Sequence, residues 1–130
     1  TIADDANAVL DFGTQVIDTH STVTTGSGWV FTAPRAGAYY ISAHVVMASG
    51  SWTINEQLRL ELFKGGVDYS FLGVSYMQAT TTFLSSAFGG TSVTMAKGGT
   101  LQVQIYQNTG GNLDIVSDAD AVYVDILSDF

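Results

Sequence analysis

Cysteine is absent from this 130-residue chain, so neither a disulfide framework nor thiolate chemistry can be built on it. Proline occurs once, at Pro34. Positive charge is scarce: four Lys and Arg stand against twelve Asp and Glu, a net charge of −8. That balance excludes nucleic acid as a partner, because displacing its counterions takes clustered Lys and Arg, and it disfavours anionic membrane surfaces for the same reason. Charged residues of both signs make up only 12%, about half the usual share. No run of about 18 uncharged apolar residues occurs, so no helical membrane span is predicted. No Asn-x-Ser/Thr sequon is found, and no segment of ten or more residues repeats apolar side chains at helical spacing.

Apolar residues are plentiful, at 46% with 12% aromatic. A chain this apolar and this poor in charge is expected to hide surface against copies of itself. Its organising stretch is Phe31 to Val45, where Pro34 and Gly37 force a corner and a long uncharged strand follows. Tyr39, Ile41, Ala43 and Val45 fall on one face of that strand, since strand side chains alternate. Leu58, Leu60 and Leu62 repeat the pattern with Arg59 and Glu61 outward, ahead of a Gly65-Gly66 pair that suits a two-residue hairpin turn. Leu101, Val103 and Ile105 alternate again, as do Val122, Val124 and Ile126. Gly89-Gly90 reads as a bulge or turn between two further strands. Eight to ten short strands at regular intervals give an all-β antiparallel two-sheet sandwich or barrel. Residues 1–8 read as a lead-in arm and 9–130 as one head domain.

Three pieces of sequence resemble the globular head of complement component 1, subcomponent q, and its relatives in the tumour necrosis factor superfamily. Phe31-x-x-Pro34-x-x-Gly37-x-Tyr39-x-Ile41 is similar to the family pattern F-x-x-P-x-x-G-x-Y-x-F. Met95-Ala96-Lys97-Gly98-Gly99-Thr100-Leu101 resembles its K-G-D/E strand entry, and Val122 to Leu127 its closing strand. Gly99, Asp125 and Ile41 stand where the family has an acid, a glycine and a phenylalanine. The resemblance covers about residues 9 to 127 and implies a ten-stranded jelly roll that assembles as a compact homotrimer. A jelly roll also hides strand edges that would otherwise invite aggregation.

In a trimer the outward aromatics acquire a purpose. With the two alternating strands at 101–105 and 122–126 filling the core, Tyr106 and Tyr123 are expected to face outward from one sheet. Phe63, Leu127 and Phe130 join them at a subunit interface. Enzymatic constellations are nearly absent. His20 falls in a loop and His44 in the central strand beside Ser42, a pairing more often structural than catalytic, so the chain reads as non-enzymatic. Asp114, Asp118 and Asp120, with Asn112, are spaced to suit a hard cation such as calcium, and a solvated acidic loop is the competing reading. The resemblance adds that some relatives bind calcium near the trimer top. Rim loops carry recognition in such folds. Trp52 in the Ser49–Asn55 loop, Tyr76 and Asn112 are the candidate ligand contacts, with Trp52 as the aromatic anchor.

The expected function is a trimeric structural or recognition head that decorates a virion capsid or caps a fibre. It would dock to a capsid, fibre or stalk through residues 1–8. The alternative is a carbohydrate- or receptor-binding adhesion module at the tip of a bacterial surface protein. Both place the chain at a virion or cell surface, with itself as first partner, a glycan or protein receptor as second, and no cofactor.

Overall fold

The computed structural model of the chain describes residues 1–10, 12, 23–24, 28–116 and 122–128, and these hold nine strands and no helix. The strands are β1 (Ala6–Val9), β2 (Val23–Thr24), β3 (Val30–Thr32), β4 (Gly37–Trp52), β5 (Gln57–Lys64), β6 (Val67–Tyr76), β7 (Thr81–Met95), β8 (Thr100–Gln107) and β9 (Tyr123–Ser128). They form two antiparallel sheets. One has the order β2-β3-β8-β5-β6, with β1 sharing the β3 side of β8 at its other end; the second is β7-β4-β9. The all-β two-sheet sandwich expected from the alternation is the observed architecture. Among the described residues no helix is long and apolar enough to cross a membrane.

The alternating positions fill the space between the sheets. Tyr39, Ile41, Ala43, Val45 and Met47 of β4 face Leu58, Leu60 and Leu62 of β5 and Leu101, Val103 and Ile105 of β8, all buried in one core. Burying a side chain of this size removes about 1.5–3 kcal/mol of unfavourable hydration each. The Pro34 corner is held at both ends. Ala33 N donates to Gly99 O and Gly98 N to Ala33 O, each at 2.8 Å, while Tyr39 Oη donates to Arg35 O at 2.7 Å. The corner and the Lys97-Gly98-Gly99 turn, far apart in sequence, are therefore one joint. Gly65 and Gly66 have φ of 60° and 79°, the pair of positive values a type I′ hairpin demands.

Four expectations are corrected. β8 and β9 lie in different sheets, because β8 pairs with β1, β3 and β5 whereas β9 pairs with β4, so Tyr106 and Tyr123 share no face. Gly89 and Gly90 neither bulge nor turn, for β7 runs straight through them. Their lack of a side chain serves a crossing instead. Here β6, the edge of the larger sheet, passes over β7, the edge of the smaller, so closely that a β-carbon on Gly89 would collide with the Leu72 carbonyl. The Ser49–Asn55 segment is not all loop: after an irregularity between Met47 and Gly50, β4 continues to Trp52. Residues 1–8 are not a free arm. Ile2 is buried and bridges Leu113, and Ala6–Val9 adds to the larger sheet.

Candidate functional site

The outer face of β7-β4-β9 carries a group of exposed apolar rings. Even-numbered residues of β4 as far as its irregularity after Met47, even-numbered ones of β7 and odd-numbered ones of β9 point away from the core, and the register sets them in rows: Phe88–His44–Tyr123, Gly90–Ser42–Asp125 and Ser92–Tyr40–Leu127. Phe88 is 71% exposed and Leu127 64%, and Tyr40, Leu84 and Tyr123 are exposed beside them. The His44 ring lies 6.1 Å from Phe88 and 5.6 Å from Tyr123, centroid to centroid. These rings and Tyr40 border a shallow depression of about 530 Å³ over Ser42 and Gly90. His44 Nδ1 is buried there with no hydrogen-bond partner among the described residues. Asp125 is the one carboxylate among the described residues of this face. Grouped apolar rings rimmed by few charges are what an association surface looks like.

The larger sheet presents a different outer face, already satisfied within the chain. The Arg59 guanidinium lies 3.9 Å over the Tyr106 ring and 5.2 Å over Phe71. Its Nε stands 2.8 Å from Glu61 Oε1, close but poorly aligned for a hydrogen bond. Glu61, although on the outward side, is only 3% exposed, since Asn7 of β1 donates to its Oε2 at 2.5 Å. Tyr106 donates to Asp5 Oδ1 at 2.5 Å. That hydrogen bond to a carboxylate, with burial and the Asp5 charge behind it, raises the phenol above its ordinary value. A cation stacked on rings and a carboxylate held by donors satisfy the middle of this face, while Tyr69, Phe71, Val74 and Tyr76 stay exposed along β6.

The predicted site residues are dispersed. Tyr123 and Leu127 lie on the apolar face; Phe63 and Tyr106 lie on the larger sheet, and Phe130 is outside the described residues. Trp52, expected as an exposed anchor, is 1% exposed with its ring 6.3 Å from Phe83, so it belongs to the core and cannot stack on a ligand. Tyr76 is exposed at the end of β6, and Asn112 on the loop after β8. Asp114 accepts a hydrogen bond from Thr1 Oγ1, whereas Asp118, Asp120 and His20 lie outside the described residues. No group of three or more His, Asp or Glu able to hold a metal occurs among the described residues. Tyr40, Leu84 and Phe88 were missed from the sequence. The signal for Tyr40 was present, since period two puts it opposite Tyr39.

No protein-family model matches this chain, and no curated protein sequence matches it. Solved structures do. The globular domain of the zebrafish complement 1qA protein superposes with a TM-score of 0.59 at 18% identity, covering 100% of this chain and 90% of that one. Murine APRIL at pH 8.5 gives 0.57 at 11% identity over 84% and 77% of the two chains. Murine APRIL at pH 5.0 gives 0.59 at 10% identity, covering 85% and 80%. The chain therefore has the jelly-roll fold shared by the complement 1q head and APRIL, as the three sequence pieces implied.

Proposed function

We propose that this chain is a non-enzymatic, homotrimeric recognition head that decorates a virion capsid or caps a fibre at a virion or cell surface. The observation that carries the reading is the apolar outer face of β7-β4-β9, where Tyr40, Leu84, Phe88, Tyr123 and Leu127 are exposed around a single carboxylate. Water-facing rings in such number are stabilised when sister chains cover them. The fold shared with the complement 1q head and APRIL supports a binding domain over an enzyme. Three copies would also multiply weak contacts to a receptor through effective concentration. The exposed residues 3–5 mark the edge that would meet a capsid, fibre or stalk.

Light scattering tests the assembly. The expected mass is about three times the 13.8 kDa chain. Phe88→Asp is expected to give folded single chains, because it sets a charge in the middle of the covered face. A single-chain mass for the native protein, with those rings in water, would sink the reading.

A second reading, an adhesion module for carbohydrate or a receptor, is favoured by one observation. Tyr76, Phe71 and Val74 are exposed along β6 beside Arg59. A glycan array with the native protein is expected to show binding that Tyr76→Ala reduces about tenfold or more, the size of a hot-spot loss. Silence on the array speaks for the structural role.

A further inference from the structure

We infer that His44 and Asp125 become a proton-binding pair between sister chains, so that the trimer tightens as the pH falls. The inference rests on the reading that sister chains cover the β7-β4-β9 face. Asp125 stands where the resembled family has a glycine, and it points out of that face in the row Gly90–Ser42–Asp125. Exposed in the single chain, it lies between Tyr123 and Leu127 along β9. A sister that covers both of those side chains covers the carboxylate between them. A charge taken from water without a partner destabilises whatever assembly buries it.

The described residues of this face hold no Lys or Arg, and His44 is the one basic group among them. Lys64 reaches the edge of β7 but donates to Thr94 O at 2.7 Å. The His44 ring stands between Phe88 and Tyr123 and lines the depression with Tyr40 and Ser42. Few titratable or charged groups face it among the described residues. Tyr40 lies on its own strand, Tyr123 and Asp125 on β9, and β7 offers only Ser86, Phe88 and Gly90. Within one chain the pair is not made: Asp125 is a diagonal neighbour of His44, a step of roughly 7–8 Å between Cα atoms. In a trimer a carboxylate of one face can meet the imidazole of the next. Imidazole is the side chain whose charge ordinarily changes between about pH 5 and 8. Neutral, it leaves Asp125 uncompensated; protonated, it supplies the positive charge that the covered face otherwise lacks. Assembly therefore takes up protons, at most one per chain. By linkage the trimer is favoured below the pH at which that proton is lost and weakened above it.

Sedimentation equilibrium of the native chain at pH 8, 7 and 6 tests the pair, with urea added where needed to bring dissociation into range. For one to three protons per trimer, the concentration at half-assembly should fall roughly 10- to 1,000-fold from pH 8 to pH 6. Asp125→Asn should remove the dependence and give a trimer tighter than the native one at pH 8, because no charge is left to compensate. His44→Gln should remove it too, but with a trimer weaker than the native one at pH 6. His20→Gln, which alters the chain's other histidine, should keep the native dependence. The inference is overturned by a native trimer equally strong from pH 8 to pH 6, as a sister's Lys64 in place of His44 would make it. It is overturned equally by a trimer that loosens as the pH falls, by a dependence that survives His44→Gln or Asp125→Asn, or by one lost in His20→Gln. Single chains at every pH would sink the trimer and the pair with it, whereas each of the other results leaves the trimer standing.

Discussion

Gly89→Ala is expected to leave little or no folded protein. Among the substitutions open to this chain it adds the fewest atoms for the largest effect. At the crossing of β6 and β7 the Leu72 carbonyl occupies the space a β-carbon on Gly89 would need, and on the other strand the Phe88 carbonyl occupies that of Gly73. Both obstacles are backbone. No rotamer change relieves them, so the two sheets would have to part where their edges meet. Overpacking a core costs about 1–3 kcal/mol even when side chains can yield, and here they cannot. With total stability at roughly 5–15 kcal/mol, a backbone clash that costs well above those 1–3 kcal/mol removes most or all of it. Urea unfolding should show the midpoint collapse or the native baseline vanish. Gly28→Ala is the control, since nothing lies within 4 Å of a β-carbon there, and it should change stability by less than about 0.5 kcal/mol. Equal midpoints for the two variants would refute the crossing.

Gln107→Leu is the second large loss. Gln107 ends β8 fully buried, and all its hydrogen-bonding capacity on that side chain is used. Its Nε2 donates to Gly111 O at 2.8 Å and to Ile2 O at 3.2 Å, while Oε1 accepts from Thr109 N at 2.8 Å and Thr109 Oγ1 at 2.7 Å. One amide thus fastens the first residues and the 108–112 loop to the end of the sheet. Leucine keeps the volume but leaves the Thr109 amide with no acceptor. The expected cost is about 3 kcal/mol, from that unpaired donor together with the bonds lost. Hydrogen exchange should report it locally, with the Thr109, Leu113 and Ile2 amides losing protection before the β4–β7 ladder does. Uniform loss of protection across both sheets would contradict the local role.

The fold was largely legible in the sequence because it is written in alternation. Tyr39 to Val45, Leu58 to Leu62 and Leu101 to Ile105 each bury every second residue, as period two requires. The Gly65-Gly66 turn and the Pro34 corner are likewise local facts. Alternation says which side chains share a face, however, and not which strand lies beside which. Tyr106 and Tyr123 were therefore joined in error on one sheet. Gly89 was misread for a related reason: a glycine that makes room for another backbone looks the same in sequence as one that turns. Trp52 follows Gly50 and Ser51, which suggested a loop, yet an irregularity in β4 carries the strand past them. Of the apolar face, Tyr123 and Leu127 were read and Tyr40, Leu84 and Phe88 were not. The acidic residues at 118 and 120, His20 and Phe130 fall outside the described residues.

The pairing of β1 with β8 has a kinetic consequence. Ala6 lies opposite Gln107, and Tyr39 opposite Ser128, so each sheet closes through strands about a hundred residues apart along the chain. Such non-local closure must overcome loop entropy before any ladder repays it, which places refolding in the millisecond-to-second range typical of sandwiches. β8 also lies between β3 and β5 in the larger sheet, so a ribosome must release the chain through Gln107 before that sheet can have its middle. Growing chains will hold unpaired strands for much of their synthesis, and dilution or a chaperone in that interval should govern yield more than any surface residue does.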